Sequence, residues 1–245
     1  MDTITSGMLR RKSASADDLT CKHQSQIKRS GSSNCLSLLQ CPGNRQFHHI
    51  TGIHERLAQV EWKRLCQCLI GAFQRTSDIS PDHPAGDSLK RCNVHTLASF
   101  FGQRGTWNRE EYTRSSVLIE DGFEVLLLCW SPKASSPIHA HSDKISGVGS
   151  NCFMLILEGE LAETVYDRSE IEGDRVTGFG KTHTRKAGDT GYINDDIGVH
   201  KVANTTDKRA MSLHVYAPGW STVQLYSHEP TDASGAPLDV DWGDF

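Results

Sequence analysis

The sequence predicts a mainly β protein, a closed barrel or a two-sheet jelly roll, with a small helical region before it. From about residue 115 onward the chain consists of short apolar and β-branched runs separated by glycine- and asparagine-containing turn signals. Before that point, apolar residues recur with the helical period instead. The length of 245 residues suits one large domain, or one domain with a terminal tail.

Residues 1–50 differ in composition from the rest of the chain. They are rich in Ser, Lys, Arg, Asn and Gln, and their seven basic and three acidic residues carry a net charge of +4, whereas the whole chain carries −4. Such a segment buries too little apolar area to offset the entropy of ordering the chain. We therefore expect a disordered basic tail over residues 1–50, followed by one domain over residues 51–245.

The composition argues against membrane and nucleic-acid partners. The mean hydropathy is −0.46, and no apolar run approaches the roughly 20 residues that a membrane helix needs. The net charge of −4 lacks the basic excess of a protein that neutralises phosphates. The N-terminus has no apolar signal-peptide core, so we expect the eight cysteines to be reduced thiols in the cytoplasm.

The helical region is predicted to cover residues 53–101. Residues 77–91 contain two prolines and a glycine and are predicted to form a loop, and a second short helix fits residues 92–101. One amphipathic helix is predicted over residues 53–73. Its apolar stripe consists of Ile53, Leu57, Val60, Leu65, Leu69 and Phe73.

The barrel is predicted over about residues 112–228. Turn signals such as Asp121-Gly122 and Glu158-Gly159 separate its β-rich runs. These runs cover residues 115–120, 123–130, 152–159, 162–167, 189–194, 199–204, 211–217 and 222–227.

Two histidines at alternate positions form the first chemical motif. In an extended strand His139 and His141 face the same side, so both can point at one atom, although a single pair of this kind also arises by chance. About 60 residues later, His200 closes a second motif that begins at Gly188 and is the candidate third ligand. Imidazole suits Fe, Zn, Cu and Ni, and three ligands leave positions open for a substrate, as in catalytic sites.

These two motifs resemble the metal motifs of the cupin superfamily. Most cupins carry a Glu after the histidine pair, and here Cys152 stands in its place, which resembles the cysteine dioxygenase family. The resemblance covers about residues 92–220. Its separate pieces are Tyr112-Thr113-Arg114, Leu126-Leu127-Leu128-Cys129-Trp130, Ser136-Pro137-Ile138-His139-Ala140-His141, Cys152-Phe153 with Leu157-Glu158-Gly159-Glu160-Leu161, Tyr192-Ile193-Asn194-Asp195 with Gly198-Val199-His200, and Ser212-Leu213-His214-Val215-Tyr216.

The resemblance implies a cupin-type double-stranded β-helix and an iron(II)-dependent dioxygenase. Such an enzyme converts L-cysteine and O2 to cysteine sulfinate, the first step of cysteine catabolism toward taurine or sulfite. His139, His141 and His200 are then expected to hold Fe(2+), and the family's usual monomer is expected. Two alternatives stay open: a dioxygenase of 3-mercaptopropionate or cysteamine, and a non-catalytic metal-binding cupin that senses thiols or oxygen.

The resemblance also implies how the substrate is bound. Arg114, with Tyr112 in the same segment, resembles the family segment that binds the substrate carboxylate. A bidentate guanidinium suits that geometry, whereas the commoner fate of an arginine is a surface salt bridge. The family often has a cis peptide at the position of Ala217-Pro218, and we expect one here.

A further group of residues is expected beside the metal. Alternation places Ser212, His214 and Tyr216 on one face of a strand. The resemblance implies that Ser212 and His214 hold Tyr216, whose hydroxyl faces the substrate; alternatively, His214 is a hydrogen-bonded interior histidine. Cys152 and Tyr216 are the candidates for the family's thioether cross-link, and the alternative role for Cys152 is a small apolar filler.

The sequence departs from the family's pattern in two places. Ala140 stands where the family usually has Asp, which predicts the loss of one polar contact next to the metal ligands. Residues 142–151 form a Gly- and Ser-rich stretch that is about six residues longer than usual in the family. The insertion leaves open whether Cys152 reaches Tyr216.

Overall fold

The computed structural model of the protein describes residues 51–220 and 222–228. The expected disordered tail, with three of the eight cysteines, lies outside these residues, so the division at residue 50 stays a prediction. No disulfide joins the five cysteines of the described part. None of the helices in that part has the length and apolar character needed to cross a membrane.

Helix α1 spans Thr51–Arg75, and its buried face differs from the predicted stripe. Leu65 and Leu69 are buried as expected, but Ile53, Leu57 and Val60 are 51%, 56% and 62% exposed. The step from Val60 to Leu65 turns the helix by about 140° relative to the earlier residues, so the six residues never formed one stripe. The observed buried face consists of Ala58, Trp62, Leu65, Cys66, Leu69 and Ala72.

The loop predicted over residues 77–91 is wrong in its second half, where helix α2 spans Pro84–Lys90. His83 caps this helix by accepting a hydrogen bond from the backbone N–H of Ala85 at 3.2 Å. A proline in the first helical turn loses no hydrogen bond, because the N–H groups there have no helical partner anyway. Helix α3 spans Val94–Gly102 and confirms the second short helix with shifted ends.

Twelve strands follow in the described chain and form two sheets. The strands are β1 Tyr112–Glu120, β2 Phe123–Trp130, β3 Ile138–Asp143, β4 Asn151–Glu158, β5 Glu160–Tyr166, β6 Ile171–Glu172, β7 Arg175–Val176, β8 Lys181–Lys186, β9 Thr190–Ile193, β10 Val199–Ala203, β11 Ala210–Ala217 and β12 Val223–His228. The first sheet has the order β1-β2-β11-β4-β9 and the second has the order β6-β7-β12-β3-β10-β5-β8, which confirms the predicted two-sheet jelly roll.

Strand β8 was not among the predicted runs. Its sequence, KTHTRK, is polar on both faces and mostly exposed, so no alternation of apolar residues marks it. It forms one edge of the second sheet and pairs with β5 from Lys181 to Lys186. This segment is therefore a strand because it pairs with β5, and its own sequence does not indicate one.

The first sheet has apolar contacts on both faces. Strand β11 is buried at every residue. Leu213 and Val215 join the cluster that includes the helices, whereas Tyr216 joins Cys152 and Met154 in a second cluster on the other side. A strand at the centre of a covered sheet is apolar in both directions because both faces are removed from water. The helices therefore cover one face of this sheet and leave the other to the interior of the barrel.

Candidate metal centre and substrate pocket

Two neighbouring strands of the second sheet bring the three predicted histidines together. His139 on β3 is the direct register partner of His200 on β10, and His141 follows two residues later on β3. One ligand atom from each ring lies within 4.8 Å of the others. The ring centroids are 4.7 Å apart for His139–His200 and His141–His200, and 5.3 Å apart for His139–His141. This spacing allows all three imidazoles to approach one ion.

The hydrogen bonding of the three rings fits a metal ligand set. Both ring nitrogens of His141 are buried and have no hydrogen-bond partner among the residues described. The Nδ1 atom of His139 lies 3.0 Å from the carbonyl oxygen of Pro137, which leaves its Nε2 atom for an ion. Burial holds the pKa of His139 and of His141 well below the usual value, so both rings are neutral donors. Such a set suits a first-row transition metal.

A buried carboxylate that sequence reasoning missed contacts the third histidine. The Nδ1 atom of His200 lies 3.0 Å from Oε1 of Glu163, whose side chain is 2% exposed. Burial would raise the pKa of Glu163, but the hydrogen bond with His200 and the charge of Arg185 lower it to about 2. The sequence of β5 contains a signal for this contact. Leu161, Glu163 and Val165 occupy every second position, so Glu163 lies on the same face as two apolar residues.

Ser212 and His214 belong to a buried chain of polar contacts. Ser212 Oγ accepts a hydrogen bond from the indole N–H of Trp130 at 2.9 Å and lies 2.9 Å from Nε2 of His214. The other ring nitrogen of His214 is 3.7 Å from the Cys152 sulfur. Burial lowers the pKa of His214 to about 3. His214 is thus neutral and bonded through both nitrogens, while its ring stacks against Tyr216 at a centroid distance of 6.1 Å.

Cys152 and Tyr216 lie directly opposite each other on strands β4 and β11. They are 1% and 4% exposed, and directly opposed residues of antiparallel strands have side chains on the same face. Burial raises the pKa of the Cys152 thiol and of the Tyr216 phenol, so both keep their protons at neutral pH. The structure therefore brings the two proposed cross-link partners together despite the insertion.

The insertion between β3 and β4 is accommodated as a separate turn. A bridge joins Ser142 to Gly149, and the backbone N–H of Ser150 donates to the carbonyl oxygen of His141 at 2.9 Å. Ile145 at the tip is 81% exposed. Because the turn closes on itself before β4 begins, its extra length does not shift the register of Cys152.

Ala140 packs among apolar side chains and offers no polar contact to the neighbouring ligand histidines. Its neighbours include Ile138 and Val199 in a cluster of their own. A different carboxylate supports this strand, because Oδ1 of Asp195 accepts the backbone N–H of His141 at 2.5 Å. The same carboxylate also accepts the hydroxyl of Ser142.

Arg114 lies at a pocket that the metal cluster also lines. Residues of this pocket include Tyr112, His139, His200 and Tyr216. The guanidinium carbon of Arg114 is 4.7 Å from the centroid of the Trp220 ring, and no carboxylate of residues 51–220 or 222–228 forms an ion pair with it. The surface salt bridge considered for Arg114 is therefore absent from this part of the chain.

Tyr112 belongs to the wall of the pocket. Its ring stacks on that of Trp130 with a centroid distance of 4.7 Å and an interplanar angle of 18°. This stacking ties the segment that carries Arg114 to the polar chain of Ser212, because the Trp130 indole bonds to that serine.

A two-sheet β barrel with three clustered histidines on neighbouring strands is the architecture of a metal-binding cupin. A family model described as cysteine dioxygenase type I matches residues 96–229, which is more than half of the chain. The chain therefore belongs to the cysteine dioxygenase type I family.

Curated relatives agree with this family. The chain is 33% identical to cysteine dioxygenase type 1 of Rattus norvegicus over 122 residues, which is 49% of this chain and 58% of the relative. It is 32% identical to the Danio rerio protein over 127 residues and 31% identical to the Homo sapiens protein over 122 residues, with the same coverage. The matched region thus spans 58% of the length of these relatives.

Among solved structures, the chain is similar to an uncharacterized conserved protein with a double-stranded β-helix domain from Klebsiella pneumoniae. That match has a TM-score of 0.39 and 21% identity over 51% of this chain and 92% of the other. A cupin superfamily protein from Desulfitobacterium hafniense matches with a TM-score of 0.35 and 14% identity over 50% and 88% of the two chains.

Proposed function

We propose that this protein is a thiol dioxygenase that converts L-cysteine and O2 to cysteine sulfinate at an iron(II) centre. The single observation that carries the proposal is the cluster of His139, His141 and His200 beside a pocket that also contains Arg114. In this reaction both oxygen atoms join the substrate sulfur, which loses four electrons while O2 gains four. The thiol –SH thus becomes the sulfinic acid –SO2H with no other co-substrate.

Three neutral ligands suit a substrate that brings its own negative charge. When bound, iron(II) would keep its full double positive charge, stabilise a thiolate and supply the redox chemistry that O2 requires. His139 and His141 remain neutral because burial disfavours their charged form. Neutral rings keep a nitrogen lone pair free to bind the ion, and they do not offset its positive charge.

Arg114 is proposed to bind the substrate carboxylate. Its planar guanidinium is exposed at the pocket and rests against the Trp220 ring, so the two outer N–H groups remain available for a bidentate contact. Such a contact would fix the far end of a cysteine molecule while its thiol reaches the histidine cluster.

Tyr216 is proposed to donate a hydrogen bond to the bound substrate or O2. Its phenol lines the pocket, lies with its ring 6.1 Å from that of His141, and keeps its proton because burial raises its pKa. A thioether to Cys152 would hold this hydroxyl in place. Forming that bond removes one hydrogen from the thiol and one from the ring, with O2 as the two-electron oxidant.

The substrate is tested by oxygen uptake of the iron-loaded protein with cysteine, 3-mercaptopropionate and cysteamine in parallel. We expect cysteine to turn over fastest, because it offers a carboxylate for Arg114 as well as an amine for the metal. Sulfinate is then quantified against the oxygen consumed, with one sulfinate expected per O2. Faster turnover of another thiol would replace the substrate, and iron binding without any sulfinate would favour a non-catalytic sensor.

The cross-link is tested by the intact mass of protein isolated after turnover. The wild type should contain a species that is lighter by two hydrogens, and Cys152→Ser should lack it. Cys129→Ser is the matched control, since Cys129 is equally buried but lies in the cluster on the opposite face of the sheet. A wild type that never loses two hydrogens, or a loss that persists without Cys152, would contradict the assignment.

A further inference from the structure

Glu163 is a buried carboxylate in the wall of the barrel, on a strand that contributes no predicted ligand. Strand β5 lies between β10, which carries His200, and the edge strand β8, which carries Arg185. Glu163 is 2% exposed in its side chain, so its charge requires partners on both sides. It has one on each neighbouring strand.

The two oxygens of this carboxylate are divided between these partners. Oε1 lies 3.0 Å from Nδ1 of His200. Oε2 accepts from Nε and Nη2 of Arg185 at 2.7 and 2.6 Å. The arginine therefore fixes the carboxylate from one side and leaves the other oxygen directed at the histidine.

Arg185 is itself held in place. Its Nη1 group donates to the backbone carbonyl oxygen of Thr190 at 2.8 Å. The next residue is Gly191, where an added Cβ would lie 3.1 Å from the guanidinium carbon. A glycine at this position leaves the room in which the guanidinium sits, so the arrangement depends on three strands of the barrel.

The three histidines differ in what supports them. The Nδ1 atom of His139 contacts a backbone carbonyl oxygen, and the ring nitrogens of His141 have no hydrogen-bond partner in the described part of the chain. Of the three rings, only His200 lies within hydrogen-bond distance of a carboxylate oxygen, because Oδ1 of Asp195 is 4.0 Å from Nδ1 of His141. A carboxylate behind a ligating histidine fixes its tautomer and makes the opposite nitrogen a stronger donor.

We propose that Glu163 is the positioning residue for His200, with Arg185 as the cation that holds Glu163. His200 donates its Nδ1–H to Oε1 of Glu163, so the lone pair of Nε2 points to the metal position. The inference rests on the proposed metal centre, because it assigns the orientation of one ligand in it. It makes His200 the strongest donor of the three and links that donor to the edge of the sheet.

The first test is the iron(II) affinity of Glu163→Gln, measured by competition with a chelator. Gln keeps the shape and an acceptor oxygen but removes the charge, and we expect the affinity to fall by about 10- to 100-fold. The absorption spectrum of the cobalt(II)-loaded variant should shift as well, because a weaker donor changes the ligand field. Wild-type affinity and an unchanged cobalt spectrum in a folded variant would overturn the proposal.

Glu160→Gln is the matched control. Glu160 lies on the same strand and pairs with Lys186 of the same edge strand at 3.6 Å, but this ion pair is solvent-exposed and not among the contacts of the cluster. We expect wild-type iron affinity in this control. An equal loss of iron affinity in both variants would show that removal of any negative charge on this strand has the same effect, and it would overturn the specific role of Glu163.

The loss of charge can also destabilise the fold, because it leaves Arg185 without its anion. The double variant Glu163→Gln with Arg185→Gln removes that unpaired cation and is then tested in the same way. A measurement on the wild type decides the tautomer independently of any variant. In nitrogen-15 NMR of the metal-free protein, at a pH where the ring is neutral, His200 should carry its proton on Nδ1.

A proton on Nε2 of His200 would overturn the proposal whatever the variants show. This measurement also separates the proposal from the dioxygenase function. The tautomer is read without metal and without turnover. An inactive protein whose His200 carries its proton on Nδ1 would therefore refute the proposed reaction but not the role of Glu163.

Discussion

His200→Ala is expected to lose iron binding and dioxygenase activity together. The variant removes one of the three proposed ligands. It also leaves Glu163, whose side chain is 2% exposed, without its histidine partner. Removing an outer-shell partner alone commonly costs about 10- to 100-fold in metal affinity, so the loss of a ligand should exceed about 100-fold. Iron content after anaerobic loading and sulfinate formation from cysteine are the two measurements.

His95→Ala is the control for this variant. His95 lies exposed on helix α3, outside the histidine cluster, and its replacement should leave both readouts unchanged. Thermal unfolding of each protein shows whether the barrel remains folded. Retention of stoichiometric iron by a folded His200→Ala protein would exclude His200 from the ligand set.

Arg114→Gln is expected to raise KM for cysteine while the iron content stays at the wild-type level. A hydrogen bond to a charged group contributes about 2 kcal/mol, which corresponds to about a thirtyfold change in an equilibrium constant. The turnover of cysteamine, which has no carboxylate, should be far less affected than that of cysteine. The ratio of kcat/KM for the two thiols is therefore the measurement.

Arg109→Gln provides the matched control, because Arg109 is an exposed arginine just before the same strand and is absent from the residues that line the pocket. Its KM should equal that of the wild type. An Arg114→Gln protein with unchanged KM for cysteine would place the carboxylate elsewhere in the pocket.

Local periodicity predicted most of the fold but not its polar or irregular parts. The apolar runs of β2, β4 and β11 were found because a buried strand needs apolar side chains wherever it is covered. Strand β8 was not predicted, because it is held by pairing with β5 and its exposed faces carry no apolar pattern. Helix α2 was not predicted, because proline and glycine generally disfavour a helix. Here the proline lies in the first helical turn, where a helix tolerates it.

The candidate site followed the same division. The spacing of His139 and His141 placed both on one face of a strand, since that depends only on the extended backbone. Glu163 and Arg185 were missed because their roles arise from the pairing of β5 with β10 and of β8 with β5. No spacing along the chain reports such a contact.

The sequence by itself determined the fold class, the family and the residues with candidate chemistry. These depend on the identity and local order of side chains, which a strand or helix converts directly into faces. Only the tertiary structure decided that Cys152 lies opposite Tyr216 despite the insertion, and that Glu163 faces His200. Both are cross-strand contacts, and strand register is set by the packing of whole sheets rather than by any one segment.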